Sequence, residues 1–484
     1  MLPGVSIGHN EHGAWGLTIF GSDNEDLYVY DTDPAHPDAY KYQGRWEPMR
    51  IEHDKIAVKG HPAVAVTYKF TRHGPVLFED AKAHKAYALR AAWLEQGGAP
   101  YLASLRMDQA RTWEEFREAS AHNHIPAESM IWADRAGNIG FQATGIRPLR
   151  PNWQGLLPVP GDGRYEWNGF LPIKSLPHEY NPAKGYWVTA NNYLMPRDFK
   201  FPQAMTYQWA ESFRADRIEE LLGGGRRFNI AEVAMMQNDA LSLPARRLVP
   251  LLRDVSISDT KVAAARDLLV HWNAVLDQDS SAAGLYSVWQ HQLLDDFKVL
   301  ILGEPLAAAN ATLRPSMKRM IDQLYAPGGD FGADPTAGRD AFLVRSLAQA
   351  VAQLSKDIGP DMAQWRLGQE KLHHVLIHHP LSPAVKEDIR KQLEVGTAPR
   401  GGDEYTIVAT GSGNQQAGGS FKIIADTEDW DNSVGQNTPG QSGDVRSPHY
   451  RDLFEMWAQG KYFPAAYSRT KVESVTMERH KLLP

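Results

Sequence analysis

Val5-Ser-Ile-Gly-His-Asn-Glu-His-Gly-Ala-Trp-Gly-Leu-Thr-Ile-Phe-Gly-Ser-Asp-Asn-Glu-Asp-Leu-Tyr28 is the stretch from which the rest of the chain is read. Gly8-His9-Asn10 reads as a turn, Ala14 to Ile19 as a short buried strand, and Gly21-Ser22 as the next break. Asp23, Glu25 and Asp26 then bring three carboxylates into four positions. Two chemical roles are open to this arrangement. Backbone N–H groups at the strand end near Ile19 could face an oxyanion. The acidic turn could hold a hard cation through carboxylate and carbonyl oxygens. A polar surface turn after a core strand is the third reading, since turns are polar for ordinary reasons.

Bulk properties narrow the field. At 484 residues the chain is long enough for one large core or two to three smaller ones. Its 43% hydrophobic and 23% charged residues are those of an ordinary globular protein. Fourteen tryptophans and 18 tyrosines suit a protein with apolar clefts. The net charge is −7, and no block of five or more like charges occurs, which argues against nucleic acid or an anionic membrane as partner. Cysteine is absent, excluding disulfides, thiolate metal sites and a cysteine nucleophile. No run of about 18 apolar residues offers a membrane span. Met1-Leu-Pro-Gly4 does not read as a signal peptide.

Along the chain, residues 27–145 read mostly as strands, among them Ala63 to Phe70 and Ala86 to Trp93, with Arg72-His73-Gly74-Pro75 as a turn. Thr112-Trp-Glu-Glu115 fits a capping box that opens a short helix to about His122. Ser129 to Ala133 and Asn138 to Gln142 flank Asp134-Arg-Ala-Gly137 as a hairpin. Residues 146–210 are rich in loops. Within them Gly185 to Asn192 reads as an apolar strand ending in two amides, which could donate into a cleft or simply form the turn. From 211 to 395 the spacing turns helical, over Arg214 to Leu222, Val262 to Asp277, Leu285 to Phe297 and Arg339 to Lys356. Gly223-Gly-Gly is a helix C-cap signal. His373, His374, His378 and His379 form a cluster with an i,i+4 pair, His374 and His378, able to ligate a metal, but no carboxylate stands at a usual third-ligand spacing. Strand patterns return at Glu404 to Thr410 and Ser420 to Ala425. With no linker in view, the expectation is a single body over 1–484: mainly β to 210, a mainly helical insertion over 211–395, and a return to the sheets over 396–484. No Gly-x-Ser-x-Gly elbow, no Ser-x-x-Lys with Lys-Thr-Gly, no P-loop and no Gly-x-Gly-x-x-Gly turn is present, so no self-sufficient nucleophile or phosphate cradle is found.

Gly8-His9-Asn10, Ala14-Trp-Gly-Leu-Thr18 and Asp23-x-x-Asp26-Leu-Tyr28 resemble the segment GHN…AWG.T…D..DLY of the penicillin acylase family. The resemblance continues through the 134–140 hairpin and through Trp365, Gly368, His373, His379 and Pro380. It ends with Pro439-Gly-Gln-Ser-Gly443, Ser447-Pro-His-Tyr450 and Trp457-x-x-Gly-Lys-Tyr462. It implies an α+β fold, the αββα sandwich of N-terminal-nucleophile hydrolases, incomplete here and with a largely helical middle. In that family the first segment lies inside the catalytic β chain. The nucleophilic serine, the autocleavage site and the α chain precede it, and none of them is found in this sequence.

The activity implied is that of an amidohydrolase, cleaving an acyl side chain from an amide of the β-lactam or acyl-homoserine lactone class. The family serine uses its own α-amine as base, whose pKa of about 7.7–8 leaves the neutral form available near neutral pH. Two donors stabilise the oxyanion, each worth ~3–4 kcal/mol. By resemblance these are the Ile19 backbone N–H and the Asn191 side chain, with Arg214 organising the site. Acyl-pocket positions fall at Ile7, Leu17 and Glu128, and the acid at Glu128 departs from the apolar lining of phenylacetyl-selective members. Asp23, the Glu25 carbonyl and Asp26 match a structural calcium turn. The implied partners are an acyl-amide small molecule and the missing α chain with the N-terminal β segment, and the implied location is periplasmic or secreted. The chain alone is expected to be inactive and poorly soluble, because the absent strands leave open edges. The competing expectation is a non-catalytic remnant that binds an acyl ligand or a partner chain.

Overall fold

Period-two alternation governs the strands of the first 210 residues, which build two large sheets and a two-stranded one. The protein is described from a computed structural model over residues 4–95, 102–411, 413–414 and 418–481. It divides into two compact units, Met1–Ala210 and Glu211–Pro484, at the point where strands give way to helices.

In the first unit the strands are β1 (Gly8–His9), β2 (Gly13–Ile19), β3 (Glu25–Asp31), β4 (Ala39–Tyr42), β5 (Arg45–Pro48), β6 (Arg50–Ile56), β7 (Val64–Thr71), β8 (Gly74–Asp80), β9 (Lys85–Ala91), β10 (Glu128–Asp134), β11 (Ile139–Ala143), β12 (Val159–Pro160) and β13 (His178–Tyr180). Helices α1 (Ser104–Met107) and α2 (Trp113–Ser120) lie between β9 and β10. The first sheet runs β1-β2-β10-β11-β13. Its register sets Trp15 opposite Trp132, Leu17 opposite Met130 and Ile19 opposite Glu128. These six therefore share one face, and at the Trp15 end that face is closed by Met107, Trp113 and Phe116 of α1 and α2. The expected cap of α2 is present with one change. Thr112 accepts from the Glu115 N–H at 3.2 Å, but Glu115 reaches back to the Arg111 N–H, at 2.8 Å, rather than to that of Thr112.

The second sheet runs β12-β3-β9-β8-β7-β6 around a core of tyrosines, Tyr28, Tyr30, Tyr40 and Tyr42. His73 turns inward from the β7–β8 turn and stacks on Tyr28 with ring centroids 3.8 Å apart. Its Nε2 lies 3.0 Å from both carboxylate oxygens of Glu166, so that nitrogen carries the proton and Nδ1 accepts from the Tyr30 hydroxyl. Burial lowers the pKa of this imidazole in spite of Glu166.

The second unit is helical where the spacing said it would be. Its helices are α3 (Phe213–Leu222), α4 (Ile230–Gln237), α5 (Leu243–Leu248), α6 (Thr260–Val270), α7 (Ser281–Leu302), α8 (Glu304–Ala309), α9 (Met317–Tyr325), α10 (Pro335–Asp357), α11 (Glu387–Leu393), α12 (Phe454–Ala458) and α13 (Arg469–Val475). Helix α6 stops at Val270 instead of reaching Asp277, because Ala274 turns left-handed (φ 61°) and Val275 bridges to Leu241. Trp289, Leu293, Phe342, Leu347 and Trp365 centre the core. Two strand expectations are corrected. Glu404 to Thr410 is a chain of turns, since the Asp403 side chain accepts from the Tyr405 N–H at 2.8 Å and folds the backbone back on itself. Within Ser420 to Ala425 only Lys422–Ile424 is a strand. Among the described residues the strands after 396 rejoin neither large sheet. β14 (His374–Leu376) pairs with β15 (Thr397–Pro399), and β16 (Lys422–Ile424), β17 (Val434–Gln436) and β18 (Phe463–Pro464) make a ladder of their own.

Gly284, in the middle of α7, tests this packing. A β-carbon there would overlap the backbone oxygen of Trp365. In a free helix Gly→Ala gains about 1 kcal/mol. Here Gly284→Ala should instead destabilise by about 2–3 kcal/mol, as overpacking against a fixed backbone does. The midpoint of urea unfolding reads the sign directly.

Candidate active site

The site expected at the end of β2 is built by strand geometry. The Phe20 N–H donates to the Ala127 carbonyl at 3.1 Å. In an antiparallel ladder alternate residues face opposite edges, so the N–H and C=O of Ile19 point away from β10. β1 covers that other edge only as far as the Gly8–Trp15 pair. Beyond it, the Ile19 backbone meets a side chain in place of a strand: the Asn191 amide donates to the Ile19 carbonyl at 3.0 Å. The two expected oxyanion donors thus lie on one edge of one strand, where Ile19 is 66% exposed.

Asn191 is held by its neighbours. The Thr189 and Thr18 hydroxyls are 2.8 Å apart, the Asn191 carbonyl accepts from the Ala210 N–H at 3.0 Å, and the Ala190 N–H donates to the Asn192 side chain at 3.0 Å. The strand expected over Gly185 to Asn192 does not form. The segment is irregular, and side chains rather than ladder bonds tie it to β2. Asn191 itself is left-handed at φ 63°, a conformation that asparagine adopts more readily than most residues.

Leu17 and Ile19 share a face with Glu128, which is only 2% exposed at the start of β10. Ile7 is half-buried in the bend before β1, one residue beyond the Gly8–Trp15 pair. Arg214 belongs to the other compact unit, in the first turn of α3. Burial lowers the pKa of its guanidinium, and the charge of Glu404 opposes that shift.

The acidic turn holds a cation, and it is an arginine. Arg150 Nε donates to Asp26 at 2.7 Å, and its Nη2 reaches the Asp23 carboxylate at 3.1 Å, the Asp23 carbonyl at 3.2 Å and the Glu25 carbonyl at 3.4 Å. The indole N–H groups of Trp167 and Trp153 also donate to Asp26, at 2.6 and 3.3 Å. Burial pushes the Asp23 carboxyl up to about 6 against the pull of Arg150. The same burial pushes the fully enclosed Arg147 guanidinium down to about 9, with Asp23 as its compensating charge. Sequence reading missed both arginines. The signal was Arg147-Pro-Leu-Arg150-Pro, two cations three apart and each followed by proline, but Gly21 and Asp26, which they reach, stand more than 120 residues earlier.

Of the histidine cluster, His373 is buried between the Gly413 carbonyl and the Thr410 hydroxyl, and His378 faces Glu394 at 3.0 Å. Among the described residues no three His, Cys, Asp or Glu side chains are grouped to hold a metal ion.

The sequence matches the penicillin amidase family model over residues 1–474. It is 26% identical to the acyl-homoserine lactone acylase QuiP of Pseudomonas aeruginosa, over 98% of this chain and 61% of that protein. It is 28% identical to the penicillin acylase 2 proenzyme of Pseudomonas sp. (strain SE83), over 100% of this chain and 63% of that protein. Against the penicillin G acylase of Escherichia coli it is 28% identical, over 94% of this chain and 56% of that protein. The chain therefore spans about three fifths of the length of these relatives. Its fold resembles that of the thermostable penicillin G acylase from Alcaligenes faecalis, with a TM-score of 0.74 at 22% identity, covering 100% of this chain and 90% of that one. That likeness bears out the α+β class of mixed helices and sheets. The chain belongs to the penicillin amidase family.

Proposed function

We propose that this chain forms the oxyanion-binding and acyl-binding part of an amide-cleaving acylase. The observation that supports this most is the shared edge of β2, where the Ile19 N–H and the Asn191 amide stand side by side beyond the last β1 pair. A carbonyl oxygen drawn into that gap would meet two fixed donors, the arrangement that stabilises a tetrahedral intermediate. The substrate class is an N-acyl amide, with acyl-homoserine lactones and β-lactam side chains as the candidates. Glu128, 2% exposed on the face it shares with Leu17 and Ile19, places a carboxyl where phenylacetyl-selective relatives are expected to have an apolar lining, which disfavours an unsubstituted phenylacetyl group. The nucleophile in this reading is an N-terminal serine supplied by a companion segment, and the working location is the periplasm or the exterior. Calcium has no step in the reaction. Among the described residues of the chain no helix is long and apolar enough to cross a membrane.

The test uses two proteins. The 484-residue chain alone should hydrolyse neither an acyl-homoserine lactone nor a phenylacetamide. Joined to a serine-bearing companion segment read from its own coding region, it should hydrolyse one of them. In that assembly Asn191→Gly, which keeps the left-handed backbone and deletes the donor, should lower kcat by on the order of 10²–10³-fold. Turnover by the 484-residue chain alone would overturn the assignment of the nucleophile. Full activity in Asn191→Gly would overturn that of the oxyanion site, and a silent assembly would leave the remnant as the reading that stands.

A further inference from the structure

We propose that the guanidinium of Arg150 is the resident cation of the Asp23–Asp26 turn and that this turn is closed to calcium. The inference does not depend on the acylase reading. A calcium ion would use three oxygen sources here, the two aspartate carboxylates and the Glu25 carbonyl. All three already accept from Arg150, whose side chain has no exposed surface. The Asp23 carbonyl accepts from it as well.

Geometry and charge point the same way. Calcium takes six to eight oxygens at about 2.3–2.6 Å, commonly some of them from water. Asp26 lies against Trp153 and Trp167, whose indole N–H groups take two more of its roughly four acceptor positions beside the one held by Arg150. On the Asp23 side Gly155 crowds in: a β-carbon there would overlap Asp23 Oδ2. The charges at the turn also cancel without a metal. Two carboxylates, Asp23 and Asp26, face two enclosed guanidiniums, Arg150 and Arg147. A divalent ion added to this set would leave two uncompensated positive charges inside the protein, which the interior does not tolerate. A fork of N–H groups also matches a carboxylate pair in direction, which a spherical ion does not.

The experiment is thermal unfolding of the purified chain in EGTA and in millimolar calcium, with bound calcium measured by equilibrium dialysis. The expected result is one melting temperature in both conditions and no stoichiometric calcium. A melting temperature several degrees higher in calcium, or one ion bound per chain, would overturn the proposal. Arg150→Gln supplies the second arm. If the guanidinium anchors the turn, this variant melts several degrees below the parent in EGTA. An unchanged melting temperature would show that Arg150 does not hold the turn. A variant too unstable to purify leaves the parent measurement to decide.

Discussion

Asp26→Ala should be among the most destabilising single substitutions in the first unit. The side chain is 4% exposed and accepts three hydrogen bonds, from Arg150 Nε at 2.7 Å, Trp167 at 2.6 Å and Trp153 at 3.3 Å. Truncation removes the acceptor and leaves its donors in place. Breaking a buried ion pair from one side costs about 3–5 kcal/mol, because the remaining charge stays out of water. The two stranded indole N–H groups push toward the upper end of that range. Asp26→Asn separates charge from shape. It keeps the volume and one acceptor oxygen but loses the charge and turns an amide donor onto one of the N–H groups, so it should lose nearly as much. Urea midpoints at neutral pH for the parent and both variants give the two numbers. A loss below about 1 kcal/mol in Asp26→Ala would mean that Arg150 finds another partner, and the account of the turn would fail.

The same turn shows what a sequence conveys and what it withholds. Ala14 to Ile19 and the 128–143 hairpin were legible because alternation and an Asp-Arg-Ala-Gly turn are local properties. The helices of the second unit were legible for the same reason at a different period. Asp23, Glu25 and Asp26 were legible as an acidic turn that needs a counter-charge, and in the structure Arg150 lies against it. The identity of that counter-charge was hidden, because Arg150 lies 124 residues after Asp26 and local pattern carries no record of such a pairing. Gly185 to Asn192 failed as a strand for a related reason. An apolar, β-branched run becomes a strand only if a partner strand is free to bond it, and here side chains of Thr18 and Thr189 make the connection. The oxyanion candidates lay between these limits. Ile19 and Asn191 were named by resemblance, while their common edge follows from ladder alternation, which needs the register.

Asp403→Asn should stabilise the second unit at pH 8 and do so by roughly 2–3 kcal/mol less at pH 5. Burial pushes the Asp403 carboxyl up to about 7 from its ordinary 3.8. Between those two values the folded chain holds a proton that the unfolded chain has released, so stability falls as pH rises from about 4 to about 7. Each pKa unit corresponds to about 1.4 kcal/mol, which makes the full change several kcal/mol for this group. Asp23, raised to about 6, adds a loss of the same sign over the lower part of the window. Asparagine at 403 has no charge to desolvate. It can keep the 2.8 Å bond from the Tyr405 N–H through its carbonyl oxygen. Its amide would then face Gln290, which donates to Asp403 at 3.3 Å and whose own carbonyl oxygen has no hydrogen-bond partner among the described residues. A flip of the Gln290 amide turns that idle oxygen toward the new donor, so the substitution leaves no new orphan group. Urea midpoints for parent and variant at pH 5 and pH 8 separate the cases. The difference between the two proteins should grow by about 2–3 kcal/mol in favour of the variant on going to pH 8. Parallel curves would show that Asp403 is already ionised in the fold at pH 5, and that Gln290 and the turn carry its charge without penalty.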